Sequence, residues 1–188
     1  RGRTLDVGRT LDTVSAALDR LEERDVASRL YRVATVMSGI VDASTWFVSR
    51  VDYGDDRFFT MGSRVSRLSD HYESRLRTFF DSDHGYGISD FPASTRAALG
   101  HVVEILAHDP EADPQERALL EAGGFREMVM SGGRDRNGDM WLLELFGDEQ
   151  SLPTAAYALA FRSAVAMAIS GADPDVPAVR LHESLPDS

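Results

Sequence analysis

Residues 125–146 read FREMVMSGGRDRNGDMWLLELF, two apolar runs separated by a stretch rich in glycine and aspartate that contains Asn137-Gly138. Asn and Gly tolerate the positive φ angles of a tight hairpin turn, so such a pair between apolar runs is a strong local signal for two antiparallel strands. Phe125–Met130 and Met140–Phe146 are therefore expected as neighbouring strands. Gly132-Gly133 is expected in the connecting loop, where turn geometry explains it. No lysine accompanies these glycines, so they do not form a phosphate-binding loop.

Working outward, Gln115–Ala122 has helical composition and stops at Gly123-Gly124, while His101–Leu106 is a short β-rich run after Gly100. Pro92 opens a short helix over Ala93–Leu99, as proline does in a first turn. Farther upstream the period is two: Trp46, Val48 and Arg50 share one face, and Phe47, Ser49, Val51 and Tyr53 the other. Gly54-Asp55-Asp56 turns the chain and Arg57–Leu68 resumes, giving a second hairpin. Ser69–Phe91 mixes Asp, Ser, Gly and aromatic residues without a period, and reads as short helix and long loop.

Helical spacing takes over at both ends. Leu11, Val14, Leu18 and Leu21 recur at threes and fours, and Val26, Leu30, Val33, Met37 and Ile40 continue the stripe. Asp25 interrupts it, which means either two helices or a shift of register. Leu152–Ile169 is an alanine-dense helix ending near Gly171, and the tail carries Pro174, Pro177 and Pro186. The order predicts an α+β domain: a central antiparallel sheet flanked by N- and C-terminal helices and short middle helices. Its expected parts are a coiled-coil-like helical extension over 1–25, the domain proper over 26–172, and a proline-containing tail or linker over 173–188.

Composition narrows the function. The 188 residues make room for one core, and the formal net charge of −11 argues against a nucleic-acid groove, which relies on clustered cations. All 20 basic residues are Arg, the mark of a GC-rich coding bias. With no cysteine there are no disulfides, thiolate nucleophiles or zinc knuckles, and a cytoplasmic setting is the simpler reading. No apolar run approaches the length of a membrane span. The first residue is Arg1, so the chain reads as a piece of a longer protein.

No catalytic set emerges. Asp81-Ser82-Asp83-His84 lacks a nucleophile elbow, and Gly85-Tyr86-Gly87 lacks the strand and third glycine of a dinucleotide fingerprint. His71, His84 and His108 have no spacing that suits metal ligation. The chain is therefore expected not to be an enzyme.

From about Val26 to Ala172 the sequence resembles GAF domains, small-molecule sensor modules of signalling proteins. The resemblance is carried by Ser38–Ala43 leading into Thr45–Val51, and by Ser94–His101 with Gly100 before Val102–Ile105 and Asp109. Gly124–Met130, Trp141–Leu145 and the closing helix Ala156–Ser170 complete it. Ser131-Gly132 stands where the family commonly has proline and leucine, and Met140 where it has glycine. Asp109–Pro114 is similar to GAF domains that accompany cyclic-dinucleotide cyclases and phosphodiesterases in actinobacterial proteins.

The resemblance implies a regulatory sensor that binds a small molecule between the sheet and residues 70–108 and signals through its terminal helices to an output domain beyond the tail. The expected ligand contacts are Trp46, Tyr86, His101 and Met128, with residues 81–88 as a lid. Cysteine-linked chromophores are excluded, and the cofactor, if any, stays unidentified. The stripe Leu11–Leu21 predicts a homodimer. The alternative is a dimerisation and protein-interaction module with a filled pocket.

Overall fold

The computed structural model describes residues 5–41, 43, 45–64, 87–147, 155–179 and 181–182. Strands β4 (Glu127–Arg134) and β5 (Met140–Gly147) form the hairpin expected from Asn137-Gly138. Gly138 takes a φ of 83°, and Asp135 organises the turn. Its carboxylate accepts the N–H groups of Asn137 (2.9 Å) and Asp139 (3.0 Å) and the indole N–H of Trp141 (2.9 Å).

The strand runs farther than expected. Gly132 and Gly133 lie inside β4, opposite Leu142 and Trp141, and not in the loop. Their role is close approach: a Cβ on Gly132 would collide with the Trp141 carbonyl and lie 3.1 Å from Cα of Ala98.

Strand β1 (Thr45–Asp52) pairs antiparallel with β5 on one side and with β2 (Arg57–Arg64) on the other, with a register shift at Val48/Ser49. Strand β3 (Val103–Leu106) flanks β4, and β6 (Leu181–His182) from the tail pairs parallel with Gly62 and Ser63 of β2. The order across the sheet is β3-β4-β5-β1-β2-β6.

One face is sealed by three helices: α1 (Val7–Asp19), α2 (Val26–Ile40) and a third, α5 (Ala155–Ser170), near the C-terminus. Against them pack Trp46, Val48, Val129, Trp141, Leu143 and Leu145. Among the described residues, the other face carries two short helices, α3 (Pro92–Ala98) and α4 (Pro114–Gly123), and the 3-10 turn Ile88–Asp90. Phe47, Val51, Met128, Met130, Leu142 and Phe146 form the second core there. The α+β architecture with its antiparallel sheet is thus present as expected.

Asp25 explains the interrupted stripe. It is the N-cap of α2, its carboxylate accepting the Ser28 N–H at 3.0 Å, so the break starts a second helix. The expectation that Leu11, Val14, Leu18 and Leu21 face a second copy is corrected. Val14 and Leu18 are 0% and 2% exposed because α1 packs on α5 and α2 of its own chain. The tail is also held: Asp173 N–H donates to the Arg24 carbonyl (3.0 Å), and Val179 N–H to the Asp25 carboxylate (3.1 Å).

Arg29 joins α2 to α5. Its buried guanidinium donates to the carbonyls of Ala168 (2.8 Å) and Met167 (3.4 Å), capping the last turn of α5 with a cation. Gly171 leaves space for it, since a Cβ there would meet the guanidinium. Replacing Arg29 with Met, which keeps the stem, is expected to cost about 2–3 kcal/mol in urea denaturation. An unchanged midpoint would mean that water caps α5 equally well.

Candidate functional site

The face under α3 and α4 buries two acids, Glu116 and Glu144. Glu116 sits in the first turn of α4, after Asp113, whose carboxylate caps the Gln115 and Glu116 N–H groups. Glu116 is 0% exposed and points to α3. One carboxylate oxygen accepts both the backbone N–H (2.9 Å) and the hydroxyl (2.6 Å) of Ser94. The N-cap of α3 is Phe91, which offers no side-chain acceptor, so the neighbouring helix supplies one. The other oxygen, Oε2, has no hydrogen-bond partner among the described residues.

Glu144 is the second acid, at the centre of β5 between Phe47 on β1 and Met130 on β4. It is 3% exposed. Burial first, and the Glu116 charge second, push its carboxyl up to about 8, so it is largely neutral at pH 7. Burial also raises Glu116, against the pull of the Ser94 hydrogen bonds. The Ser94 hydroxyl lies 3.5 Å from the sulfur of Met130, which places the Ser94–Glu116 pair over the strand beside Glu144.

Ser49 completes the row. It pairs with Leu142 on β5, a diagonal step of about 7 Å from Glu144, and shares its strand face with Phe47 and Val51. Its hydroxyl is buried with no partner among the described residues. A charged group in a protein interior must be paired, hydrogen-bonded or neutralised. Here the interior holds unspent acceptors beside a neutral carboxyl, a composition suited to recognition. No group of His, Asp or Glu among the described residues is arranged to hold a metal ion.

The residues expected as ligand contacts fall in different places. Met128 lies on this face, opposite Phe146 and Ile105. Trp46 lies on the other face, edge-on to Tyr31 (centroids 5.7 Å apart) and under the Arg64 guanidinium. Register decides this: Trp46 pairs with Leu145 and Met128 with Phe146, adjacent residues on opposite sides of β5. His101 is exposed; its backbone N–H donates to the Arg96 carbonyl (3.3 Å), and its carbonyl accepts the Ser131 hydroxyl at 2.9 Å. Tyr86, with most of the expected lid 81–88, lies outside the described residues.

Glu116, Glu144, Ser49 and Ser94 were not singled out in the sequence. Glu144 had a visible signal, as the lone charge in the apolar run MWLLELF. Glu116 had none, because an acid in the first turn of a helix is ordinary.

At the rim, the β1–β2 turn grips the chain that returns at Gly87. Asp56, a non-glycine residue at φ 54°, accepts the N–H (3.0 Å) and hydroxyl (2.9 Å) of Ser89. These bonds hold its carboxyl below the usual carboxylate range.

No family model and no curated protein matches the chain. Solved structures do, and they share its fold. The chromophore-binding domain of the bacteriophytochrome RpBphP3 from R. palustris is 14% identical and covers 90% of this chain, with a TM-score of 0.63; the match takes in 62% of that protein's chain. The GAF domain of a phosphoenolpyruvate-protein phosphotransferase from Coxiella burnetii is 11% identical over 86% of this chain and 90% of its own (TM-score 0.57). CepR2 of Burkholderia cenocepacia, an N-acylhomoserine lactone dependent LuxR family transcription factor, is 20% identical over 87% of this chain and 94% of its own (TM-score 0.58). The chain thus has the GAF-like α+β fold. It spans less than two thirds of the bacteriophytochrome chains it matches. No helix among the described residues is long and apolar enough to cross a membrane.

Proposed function

We propose that this chain is a non-catalytic regulatory sensor domain of a signalling protein, which binds a small molecule on the α3/α4 face of the sheet and passes the change to its terminal helices. The observation that carries this reading is the row Glu116–Glu144–Ser49, whose acceptors are buried on the face covered by short helices. A route to the helices exists in the strands themselves. Val48 adjoins Ser49, and Leu143 and Leu145 adjoin Glu144, and all three pack into the core under α1, α2 and α5. Solved structures of this fold include chromophore-binding and acylhomoserine lactone-dependent proteins, which supports the reading by analogy of fold.

An output domain beyond the tail and assembly as a homodimer belong to the same proposal. Because the Leu11–Leu21 stripe is spent inside the chain, the dimer would use other surface, such as the α5 face that leaves Leu159 55% exposed. The test is a thermal-shift screen of the whole chain against a broad metabolite library. A ligand of the native state raises stability by about 2.7 kcal/mol at one hundred times its dissociation constant. A silent screen together with a melting temperature that rises with protein concentration would instead establish the interaction module.

A further inference from the structure

We infer that the α3/α4 face takes a small ligand that donates hydrogen bonds, of amide, amidine or guanidine character, and rejects molecules whose polar end is a carboxylate or phosphate. This rests on the sensor reading above and names the chemistry of its ligand.

Three observations carry it. The unspent polar atoms of the site are acceptors: Glu116 Oε2 has no partner, and the Ser49 hydroxyl accepts as readily as it donates. The Glu144 carboxyl lies between them, in the middle of the sheet. Finally, there is no buried counter-cation on this face among the described residues. Arg29 is the buried cation, and it caps α5 on the far side of the sheet. Arg96 acts on Glu116 only from the exposed side of α3.

The physical consequence is selectivity of sign. A cationic or donor-rich nitrogen group placed at Glu144 relieves two acids that otherwise burden each other, and it fills acceptors whose desolvation has already been suffered in folding. An anion at the same place would meet the Glu116 carboxylate in a low-dielectric interior, with no buried cation on this face among the described residues to offset it. Burial of Glu144 in its neutral form also lets the empty site fold without a partner, and a cation would draw the proton off when it binds.

Benzamidine, benzamide and benzoate make the test, since they share a ring and differ in the polar head. With the whole chain at pH 7, millimolar benzamidine and benzamide are expected to raise the melting temperature while benzoate leaves it unchanged. Glu144→Gln preserves shape but not the ionisable oxygen pair, and should weaken benzamidine at least about tenfold while affecting benzamide less. Ser49→Ala, a smaller change in the same row, should weaken both. Binding of benzoate alone, no binding by any of the three, or benzamidine binding indifferent to both variants would each overturn the donor class. The sensor reading fails separately, through silence of the broad library. A library hit among anionic metabolites with no response to benzamidine would leave the sensor standing and remove this inference.

Discussion

Wild-type protein is expected to lose stability as the pH rises from 4.5 through about 8, and Glu144→Gln is expected to remove most of that loss. The folded state raises the Glu144 pKa, so between the unfolded and folded values the native chain binds the extra proton. Stability therefore falls with increasing pH across this window and levels off above it. The groups that bear on Glu144 are Glu116 from α4 and, through Glu116, Asp113 and Arg96. Glu116 itself is raised and adds in the same direction, as does Glu104 at β3, where burial and the Glu127 charge act together. Asp56 has the opposite sign: its contribution is present above the usual carboxylate range and is lost as the pH falls below it, so the two effects occupy different windows. The ceiling for Glu144 is about 5 kcal/mol. Urea denaturation across the window, in wild type and variant side by side, measures the difference. A flat wild-type profile, or an equally steep one in the variant, would show that Glu144 is ionised at no cost.

Gly132→Ala should be among the most damaging small substitutions in the chain, at about 3 kcal/mol or more. Its β-carbon would collide with the Trp141 carbonyl, which is backbone, and would press on Cα of Ala98. Neither can rotate away. Since Gly132 is where α3 touches β4, the strain would lift α3 and with it Ser94, the hydrogen-bond partner of Glu116. Thermal melting gives the size of the effect. A loss no larger than that of Gly133→Ala, where the nearest new contact is the Ile169 side chain at 3.4 Å, would mean that the sheet adjusts freely at this point.

The hairpins, the order of elements and most boundaries were legible because they depend on local rules. Asn137-Gly138 fixed one turn, alternation over Trp46–Val51 revealed a strand, and Gly123-Gly124 marked the end of α4, where Gly124 takes φ 74°. Gly132-Gly133 misled because glycine pairs mark turns more often than crowded strands, and the crowding comes from the Trp141 carbonyl on β5 and from Ala98 of α3, which only the folded packing brings close. The site was less legible. Alternation assigns a residue to a face but does not say which faces of two strands coincide, so Trp46 and Met128 were placed together although a one-residue offset in pairing separates them. Glu116 and Glu144 become a pair only through tertiary packing, and periodicity carries no trace of it.

The pairing of Leu181–His182 with Gly62 and Ser63 has a consequence for the protein's behaviour at high concentration. An open-ended sheet exposes unpaired N–H and C=O groups at both margins, and these invite strand addition by neighbouring molecules. At one margin the four-residue β3 is too short to be an effective template, and it carries the acidic Glu104. At the other, eight-residue β2 would be an adequate template, with Arg57 and Arg64 at its ends as charged deterrents. The Leu181–His182 strand occupies the interval near Arg64, so this C-terminal segment acts as a guard against intermolecular β-aggregation.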